Sequence, residues 1–222
     1  MTGNSLPVQS PQQFCHPGLG RLVARHLATD NRRPPAPHSL AAFEAIRSRV
    51  ESADRALVFD SFCGTGQSTA ALAQTYPEML VIGIDKSAHR LQKHAGGDGD
   101  NYLLVQADCD DFWRLAVDAG WQLQHHFLFY PNPWPKPRHI KRRVHGSPHF
   151  TQLLALGGRL ELRSNWQVYV EEFGLALVLA GHYPHISRIA PENPLSLFEQ
   201  KYLRSGHELW RCRCDLVHNS RS

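Results

Sequence analysis

The most constraining feature of the sequence is an order of elements that repeats from about residue 56 onward. Short apolar runs end in glycine-containing or acidic turns, and each turn leads into a stretch with helical character. Continuous apolar strands that alternate with helices are typical of a parallel sheet covered on both faces. The sequence therefore predicts a doubly wound, mostly parallel α/β fold. The expected strands are residues 56–60, 80–85, 102–106, 126–130 and 159–163, with residues 208–216 as an antiparallel edge.

The composition fits one globular domain with an appendage. The chain has 222 residues, of which 42% are hydrophobic and 20% are charged, and its net charge is +4. No apolar run approaches the length of a membrane span, and the start lacks the pattern of a signal peptide. The five cysteines show no CxxC spacing, so we expect no metal site and a cytoplasmic location. The sequence leaves the oligomeric state open, with a monomer as one option.

Residues 1–50 differ from the rest, and we expect them to form a Pro/Arg-rich arm beside a domain at 51–222. The arm has six prolines and six arginines but only two acidic residues. Two short helices are expected, at 19–27 and 40–50, and Ser39 is a candidate N-cap for the second. Two interpretations stay open: a partly ordered tail that packs on the domain, or a basic arm that lies along RNA.

Acidic residues stand at or just after the ends of three predicted strands. Asp60 precedes a turn that contains Gly64 and Gly66, Asp85 ends the second strand, and Asp108 follows the third. Ligands of such folds bind at the carboxyl ends of the strands, and glycines let the backbone approach them closely. A carboxylate at the position of Asp85 is suited to accept both hydroxyls of a ribose. These residues predict an adenosine-type cofactor.

The turn after the first strand favours a methyl donor over a dinucleotide. A dinucleotide-binding turn has a third small residue in its G-x-G-x-x-G pattern, and residues 64–69 lack it. Asp60 would also place a negative charge close to a pyrophosphate. The same charge stabilises a cation such as the sulfonium and ammonium groups of S-adenosylmethionine.

A proline-rich segment at residues 130–139 runs directly into a basic one. It contains an amide, Asn132, and an indole, Trp134, and five lysines and arginines lie between residues 136 and 143. No acidic residue occurs between positions 119 and 160. An amide and an indole suit a flat, hydrogen-bonding ring, and clustered cations suit phosphates. The pattern predicts chemistry on a base within a polyanion; a plain cover for the sheet end and a solvated turn are the structural alternatives.

These motifs resemble the bacterial tRNA (guanine-N7-)-methyltransferases over residues 57–216. That family has an acid and a glycine turn after strand one, an acid ending strand two, PDPWPKxRHxKRR after strand four, TDW after strand five, and T-x-F-E followed by GH. The resemblance implies a Rossmann-like class I methyltransferase fold, S-adenosylmethionine as cofactor, tRNA as partner, and transfer of a methyl group to N7 of a variable-loop guanine. The counterparts here are residues 60–66, 85, 131–143, 164–166, 196–199 and 206–207.

Carried over position by position, the resemblance assigns three groups of site residues. The cofactor contacts would be Asp60, Gly64, Gly66, Asp85, Asp108 and Asn132. The contacts to the substrate base would be Lys136, Asn165 and the range from Ser196 to Glu199, and those to the RNA would be Arg138, His139, Lys141, Arg142 and Arg143. Asn132 and Glu199 are the expected catalytic residues.

The chain departs from the family pattern at four of these positions. Asn132 and Asn165 replace aspartates, Ser196 replaces a threonine, and Phe62 replaces the first glycine of the cofactor turn. Guanine N7 carries a lone pair and no proton, so its methylation needs placement rather than a general base. Asn132 can still orient groups by hydrogen bonds, and Glu199 is expected to hold the guanine edge or to stabilise the developing positive charge.

Two other functions remain open from the sequence. The Tyr-Pro-Asn-Pro-Trp segment at residues 130–134 is similar to the Asn-Pro-Pro-aromatic loop of amino-methyltransferases, which would make the target another base or an exocyclic amine of RNA or DNA. A non-catalytic RNA-binding paralogue with the same fold is the second alternative. The neighbouring Glu171 and Glu172 are expected on a solvated helix face.

Overall fold

A computed structural model describes residues 5–31, 33–96 and 99–216 and contains one seven-stranded sheet. The strand order is 3-2-1-4-5-7-6. All neighbouring strands among the first five pair in parallel, and the seventh is antiparallel to both of its neighbours. The predicted fold class is confirmed. The strands are β1 (Leu57–Ser61), β2 (Leu80–Asp85), β3 (Tyr102–Gln106), β4 (Leu123–Phe129), β5 (Gly158–Ser164), β6 (His185–Ile189) and β7 (Leu209–Leu216).

Helices cover both faces of the sheet because the central strands are apolar on both sides. Every residue of β1 and β2 is buried. Consecutive residues such as Val58 and Phe59 face opposite sides of the sheet and belong to different hydrophobic clusters. The α-helices are α1 (Leu19–Leu27), α2 (Pro37–Ser52), α3 (Gln67–Thr75), α4 (Ala88–Leu91), α5 (Cys109–Asp118), α6 (Phe150–Ala155), α7 (Gln167–Leu179) and α8 (Leu197–Arg204). The larger cluster includes side chains of α1, α2, α5, α6 and α7, and the smaller one includes side chains of α3 and α8.

Both N-terminal helices are part of the main core. Leu19, Leu22 and Val23 of α1 are buried, and the Phe43 ring of α2 lies 4.7 Å from the Trp121 ring between centroids. Helices α1 and α2 therefore pack on the domain, as the first interpretation of the arm expects. Arg32, one of the arginines of the arm, lies outside the described residues.

Several element boundaries were predicted wrongly. Strand β4 begins at Leu123, three residues before the predicted start. Two buried histidines inside it, His125 and His126, interrupt the apolar pattern by which a buried strand is recognised in a sequence. Strand β6 was not expected at all, since an edge strand with half-exposed residues gives little apolar signal. Strand β7 is antiparallel as expected, but β6 lies outside it, so it is not the edge.

Two smaller expectations have different outcomes. Ser39 is not an N-cap, because α2 begins two residues earlier and the Ser39 hydroxyl accepts a hydrogen bond from the amide of Asp108 at 3.2 Å. Cys212 and Cys214 do share the buried face of β7. Within the described parts of the chain, the helices are too short or too polar to cross a bilayer.

Candidate active site

A cleft of about 500 Å³ opens at the carboxyl ends of the parallel strands, where this class of sheet binds its ligands. Its floor comes from the turns that follow β1, β2 and β3, and its upper wall comes from the segment after β4 and from α8. The residues that matter below are Phe62, Asp85, Asp108, Asp110, Asn132 and Trp134. The cleft thus combines carboxylates from the ends of β2 and β3 with the proline-rich segment.

The turn after β1 is built from residues with left-handed backbone. Gly64 and Gly66 have φ values of 62° and 75°, and a Cβ on Gly66 would lie 2.7 Å from the Leu104 side chain. Phe62, at the position of the family's first glycine, also has a left-handed φ of 65°. A non-glycine residue there costs about 1–2 kcal/mol, which the packing of its ring against Trp113 offsets in part. The backbone therefore keeps the shape that the glycine would allow.

Asp60 lies beneath this turn and is fully buried. Its Oδ2 accepts hydrogen bonds from Ser68 Oγ at 2.6 Å and Thr69 Oγ1 at 2.7 Å. Its Oδ1 is buried without a hydrogen-bond partner in the part of the chain that the structure describes. Burial raises the pKa of this carboxyl from 3.8 to about 6, the two hydroxyls oppose the rise, and Asp85 adds to it. Asp60 does not line the cleft, so its charge would act on a cationic ligand only across the turn that covers it.

Asp85 ends β2 and connects two turns at the cleft. Gly64 N donates to its Oδ2 at 3.0 Å, Ser87 N donates to its Oδ1 at 2.8 Å, and the Arg90 guanidinium lies 3.1 Å from the same oxygen. Only 2% of the residue is exposed, although it lines the cleft. The Arg90 side chain is 40% exposed, so a ligand hydroxyl that bonds Oδ1 would have to displace a partly solvated guanidinium.

Asp108 and Asp110 form the acidic wall beside it. Asp108 caps α5 by accepting a hydrogen bond from the amide of Asp110 at 3.2 Å, and both side chains line the cleft. Burial, followed by the charge of Asp108, raises the pKa of Asp110 to about 6. Asp110 was missed from the sequence, although an acid two residues after a capping aspartate is a recognisable signal for a first-turn side chain near the same ligand.

The segment at residues 130–137, called the proline loop below, forms the upper wall. Tyr130 and Trp134 have left-handed φ values of 55° and 46°, so the loop turns sharply at both places. Asn132 is exposed at the cleft, and its Oδ1 accepts a hydrogen bond from Trp134 N at 3.2 Å. Its amide nitrogen makes no hydrogen bond within the described residues and is directed to no internal partner. This nitrogen is therefore available to a ligand.

Glu199 does not contact the cleft, and its expected direct contact with the base is wrong for this structure. Only 1% of it is exposed. Its Oε1 accepts from Tyr130 Oη at 2.7 Å and from Arg163 Nη1 at 2.8 Å, and its Oε2 accepts from Leu195 N at 2.8 Å. Both oxygens are therefore used internally. Glu199 instead fixes Tyr130, the residue at which the proline loop begins.

Two further expected base contacts, Asn165 and Ser196, also lie away from the cleft. Ser196 caps α8 by accepting a hydrogen bond from Glu199 N at 3.2 Å. Asn165 Nδ2 lies 3.0 Å from His207 Nδ1, and His207 Nε2 lies 3.0 Å from the Ser5 carbonyl. An amide can donate to a ring nitrogen whose partner nitrogen carries the proton, whereas a carboxylate cannot. The hydrogen bond to His207 therefore explains why an asparagine stands at position 165, where the family has an aspartate.

The basic segment divides into an exposed part and one buried residue. Lys136, Arg138, Lys141 and Arg142 are exposed, and His139 is half-buried beside Trp134. The Arg142 guanidinium lies over the Trp134 ring at 4.8 Å from its centroid. The remaining cation, Arg143, is treated separately below.

Arg143 is fully buried, so its expected contact with RNA is wrong. It forms an ion pair with Glu172, which is itself fully buried and not on a solvated face as expected. Burial raises the pKa of the Glu172 carboxyl, but hydrogen bonds from His145 and the backbone of His16, together with the Arg143 charge, lower it to about 2. The pattern of cations in the sequence could not separate this internal pair from its exposed neighbours.

Two aromatic residues of α8 lie at the cleft: Phe198, which belongs to the expected base-contacting range 196–199, and Tyr202, which was missed. Phe198 is 42% exposed, and its ring stacks on Tyr202 at 6.1 Å between centroids. Both line the cleft with Trp134. An exposed ring in a cleft is suited to stack on a planar ligand. The aromatic position of the Ser-Leu-Phe-Glu motif was the sequence signal for Phe198.

Comparison with known proteins identifies the class. A family model described as "Putative methyltransferase" matches residues 54–212, which include all of β1–β5 and most of the cleft residues. The chain belongs to this methyltransferase family. Within it, the tRNA (guanine-N(7)-)-methyltransferase of Nitrosospira multiformis is 34% identical over 170 residues, covering 66% of this chain and 69% of that protein. The protein of the same name from Thiobacillus denitrificans is 31% identical over 198 residues, covering 84% and 83%.

Solved structures support the fold alone. The 16S rRNA methyltransferase KamB superposes with a TM-score of 0.61 at 17% identity, covering 79% of this chain and 94% of that chain. A 16S rRNA (adenine(1408)-N(1))-methyltransferase variant from Catenulisporales acidiphilia, solved with its cosubstrate SAM, superposes with a TM-score of 0.54 at 18% identity, covering 81% and 93%. Both are methyltransferases with this sheet.

Proposed function

We propose that the chain transfers a methyl group from S-adenosylmethionine to N7 of a guanine in tRNA, in the cytoplasm. The observation that carries the proposal is the two-sided cleft. Carboxylates from the ends of β2 and β3 lie on one side, and an amide, aromatic rings and the Arg142 guanidinium lie on the other. The tRNA (guanine-N(7)-)-methyltransferase relatives support the same assignment.

The acidic side fits the cofactor. Asp85 would hold the ribose hydroxyls once Arg90 moves away, and Asp108 or Asp110 would accept a hydrogen bond from the adenine amine. Asp60, which is buried beneath the turn of Gly64 and Gly66, would stabilise the cationic end by its charge, without direct contact. When bound, S-adenosylmethionine supplies an electrophilic methyl group, and its transfer moves a positive charge from sulfur to the purine.

The proline loop would place the base. The free amide nitrogen of Asn132 is a donor at the junction of the two sides, where it can bond to a guanine acceptor. Trp134 and Phe198 offer rings on which the purine can stack. Because N7 has no proton to lose, these residues act by orienting the base. Holding N7 and the methyl group in line is the largest contribution that such a site can make to the rate. Glu199 would act through Tyr130 rather than on the base.

The exposed cations would hold the tRNA. Within the described residues, Lys136, Arg138, Lys141 and Arg142 form no ion pair with a carboxylate, although Arg47, Arg159 and Arg188 on other surfaces do. Unpaired cations next to a cleft provide the electrostatic surface that phosphates bind. Arg21 and Arg25, which are exposed on α1, are further cations that could contact phosphates.

The test is methylation of bulk tRNA with a radiolabelled donor, followed by reduction and aniline cleavage, which report N7-methylguanosine. We expect cleavage with the wild type and a roughly ten- to thousandfold lower rate with Asn132→Ala, the range for losing a positioned polar contact. Asn132→Asp restores the family residue and should retain activity. Label in another nucleoside without cleavage would support the amino-methylase alternative, and tRNA binding without any label would support the non-catalytic one.

A further inference from the structure

The segment before α1 crosses the carboxyl end of the sheet and is fixed at Ser5 by Ser205 and by His207 of the Gly-His motif. Ser5 N donates to Ser205 Oγ at 3.1 Å, and the Ser5 carbonyl lies 3.0 Å from His207 Nε2. His207 is held in turn by Asn165. Asn165, which sequence similarity linked to the substrate base, and His207 of the Gly-His motif thus anchor the N-terminal segment here.

Farther along, the segment contacts the proline loop directly. Ser10 Oγ donates to the Pro135 carbonyl at 2.6 Å. The preceding carbonyl, that of Trp134, accepts from Arg143 Nε at 3.2 Å and from Arg143 Nη2 at 3.1 Å. Two consecutive carbonyls of the loop are therefore held from outside the loop.

Gln12 connects the segment to the buried ion pair behind the loop. Its Oε1 accepts from Arg143 Nη2 at 2.9 Å, and its Nε2 donates to Glu172 Oε1 at 2.6 Å. The amide of His16 donates to the same Glu172 oxygen at 2.8 Å. Gln12 thus fixes the Arg143 guanidinium, which holds the Trp134 carbonyl.

The loop needs such support because its conformation is not one that its own residues favour. Trp134 has a left-handed backbone, which is costly for a large side chain and persists only when the surroundings determine it. At its other end the loop is fixed through Tyr130 and Glu199. The base-facing Asn132 and Trp134 lie between these two supports.

We propose that Ser10 and Gln12 are positioning residues of the methyl-transfer site, which act through the Trp134 and Pro135 carbonyls to hold the proline loop. The inference rests on the proposed function for its catalytic consequence, but the contact itself can be measured without activity. It also gives the N-terminal segment a role different from binding RNA.

The test compares four full-length variants with the wild type. Ser10→Ala and Gln12→Met remove the contacts, Ser10→Thr keeps the hydroxyl, and Gln13→Met is the matched control at an exposed neighbouring glutamine. The chain contains five tryptophans, so labelling with 5-fluorotryptophan gives five fluorine resonances, which Trp→Phe variants assign. The Trp134 resonance reports the loop, and that of Trp113, which is fully buried, reports the core.

We expect Ser10→Ala and Gln12→Met to shift or broaden the Trp134 resonance while that of Trp113 stays unchanged. Their kcat should fall by about tenfold or more with little change in KM for tRNA, because misplacing reacting groups by about 1 Å can cost up to a hundredfold. Ser10→Thr should restore both readouts.

Three results would overturn the proposal. In the first, both variants match Gln13→Met in kcat and in the Trp134 resonance. In the second, the loss lies entirely in tRNA affinity, which would make the segment an RNA-binding arm. In the third, Ser10→Thr fails to restore what Ser10→Ala loses. A wild type that forms no N7-methylguanosine would contradict the proposed function instead, and the fluorine spectra would still decide whether the segment holds the loop.

Discussion

At the scale of single residues, the ionisation of Asp60 couples the stability of the folded protein to the binding of a cation. The folded protein raises its pKa from 3.8 to about 6, mainly because the carboxyl is buried. A raised pKa means that the protonated form is favoured by folding. This stabilisation is complete below pH 3.8 and is lost as the pH rises through about 6. A bound cation would favour the ionised form and reverse the preference.

We therefore predict that affinity for S-adenosylmethionine falls as the pH is lowered through about 6, and that binding below this pH releases protons. Calorimetry in buffers of different ionisation enthalpy measures both effects. The variant Asp60→Asn should bind more weakly at neutral pH, and its affinity should respond less to pH. Because Asp110 titrates in the same range, Asp110→Asn is the control that separates the two carboxyls. An unchanged pH response in Asp60→Asn would assign the effect to Asp110.

Residue roles were the hardest feature to predict from the sequence. The acids at strand ends were correctly expected at one edge of the sheet, because parallel strands all end there. Glu199 and Arg143 were misplaced, because a sequence motif shows which residue types occur together but not which way each side chain faces. A glutamate within an exposed motif and an arginine within a basic run carry no signal of burial until their partners, Tyr130 and Glu172, are known.

At the scale of elements, the basic segment after the proline loop presents exposed cations on one side and Arg143 on the other. Two short 3-10 turns, at residues Pro137–Arg142 and Val144–Gly146, produce this division. They place Ile140 and Val144 in the core and leave Lys141 and Arg142 outside. The two 3-10 turns are therefore sufficient to separate the exposed cations from the buried side chains.

We predict that the exposed cations control the salt dependence of tRNA binding. Each of Arg138→Ala, Lys141→Ala and Arg142→Ala should lower affinity and reduce the slope of log affinity against log salt by about one if that cation contacts a phosphate. The control is Arg159→Ala, an exposed arginine at the opposite end of the sheet that pairs with Asp215. A filter-binding series across salt concentrations measures the slope. If the three variants match Arg159→Ala, the segment is only a solvated turn.

The element pattern itself was largely predictable where strands are buried on both faces. β2 and β3 have the predicted limits, since uninterrupted apolar residues with a turn at each end leave little choice. The error in β4 and the absence of β6 from the prediction share one physical cause. Backbone pairing with a neighbouring strand holds residues such as His125 and Arg188 in the sheet, although their polar side chains do not produce the apolar pattern that predicts a strand.

At the scale of the whole molecule, one buried ion pair joins the N-terminal segment, the proline loop and α7. Arg143, His145 and Gln12 all contact Glu172, and Arg143 also lies over the Trp166 ring at 5.0 Å. Removing one partner of such a pair leaves an uncompensated charge in the interior, which is far more costly than losing an exposed ion pair.

We predict that Glu172→Gln destabilises the protein by about 3–5 kcal/mol, whereas Glu171→Gln, its half-buried neighbour on α7, changes stability by less than about 0.5 kcal/mol. The melting temperature should fall by roughly 2–4 °C for each kcal/mol in a chain of this size. Urea unfolding followed by circular dichroism gives the free energies. A Glu172→Gln variant as stable as Glu171→Gln would show that the pair contributes little to folding.

The position of β7 also has a consequence for how the chain is made. β6 leaves the ribosome before β7, yet in the finished sheet β7 separates it from β5. Until residues 209–216 emerge, β6 has no partner and β5 presents an open edge with unpaired backbone groups. Domains generally fold as units during synthesis. We therefore expect the nascent protein to complete this half of its sheet only after β7 has been synthesised, with β5 exposed to pairing with other chains until then.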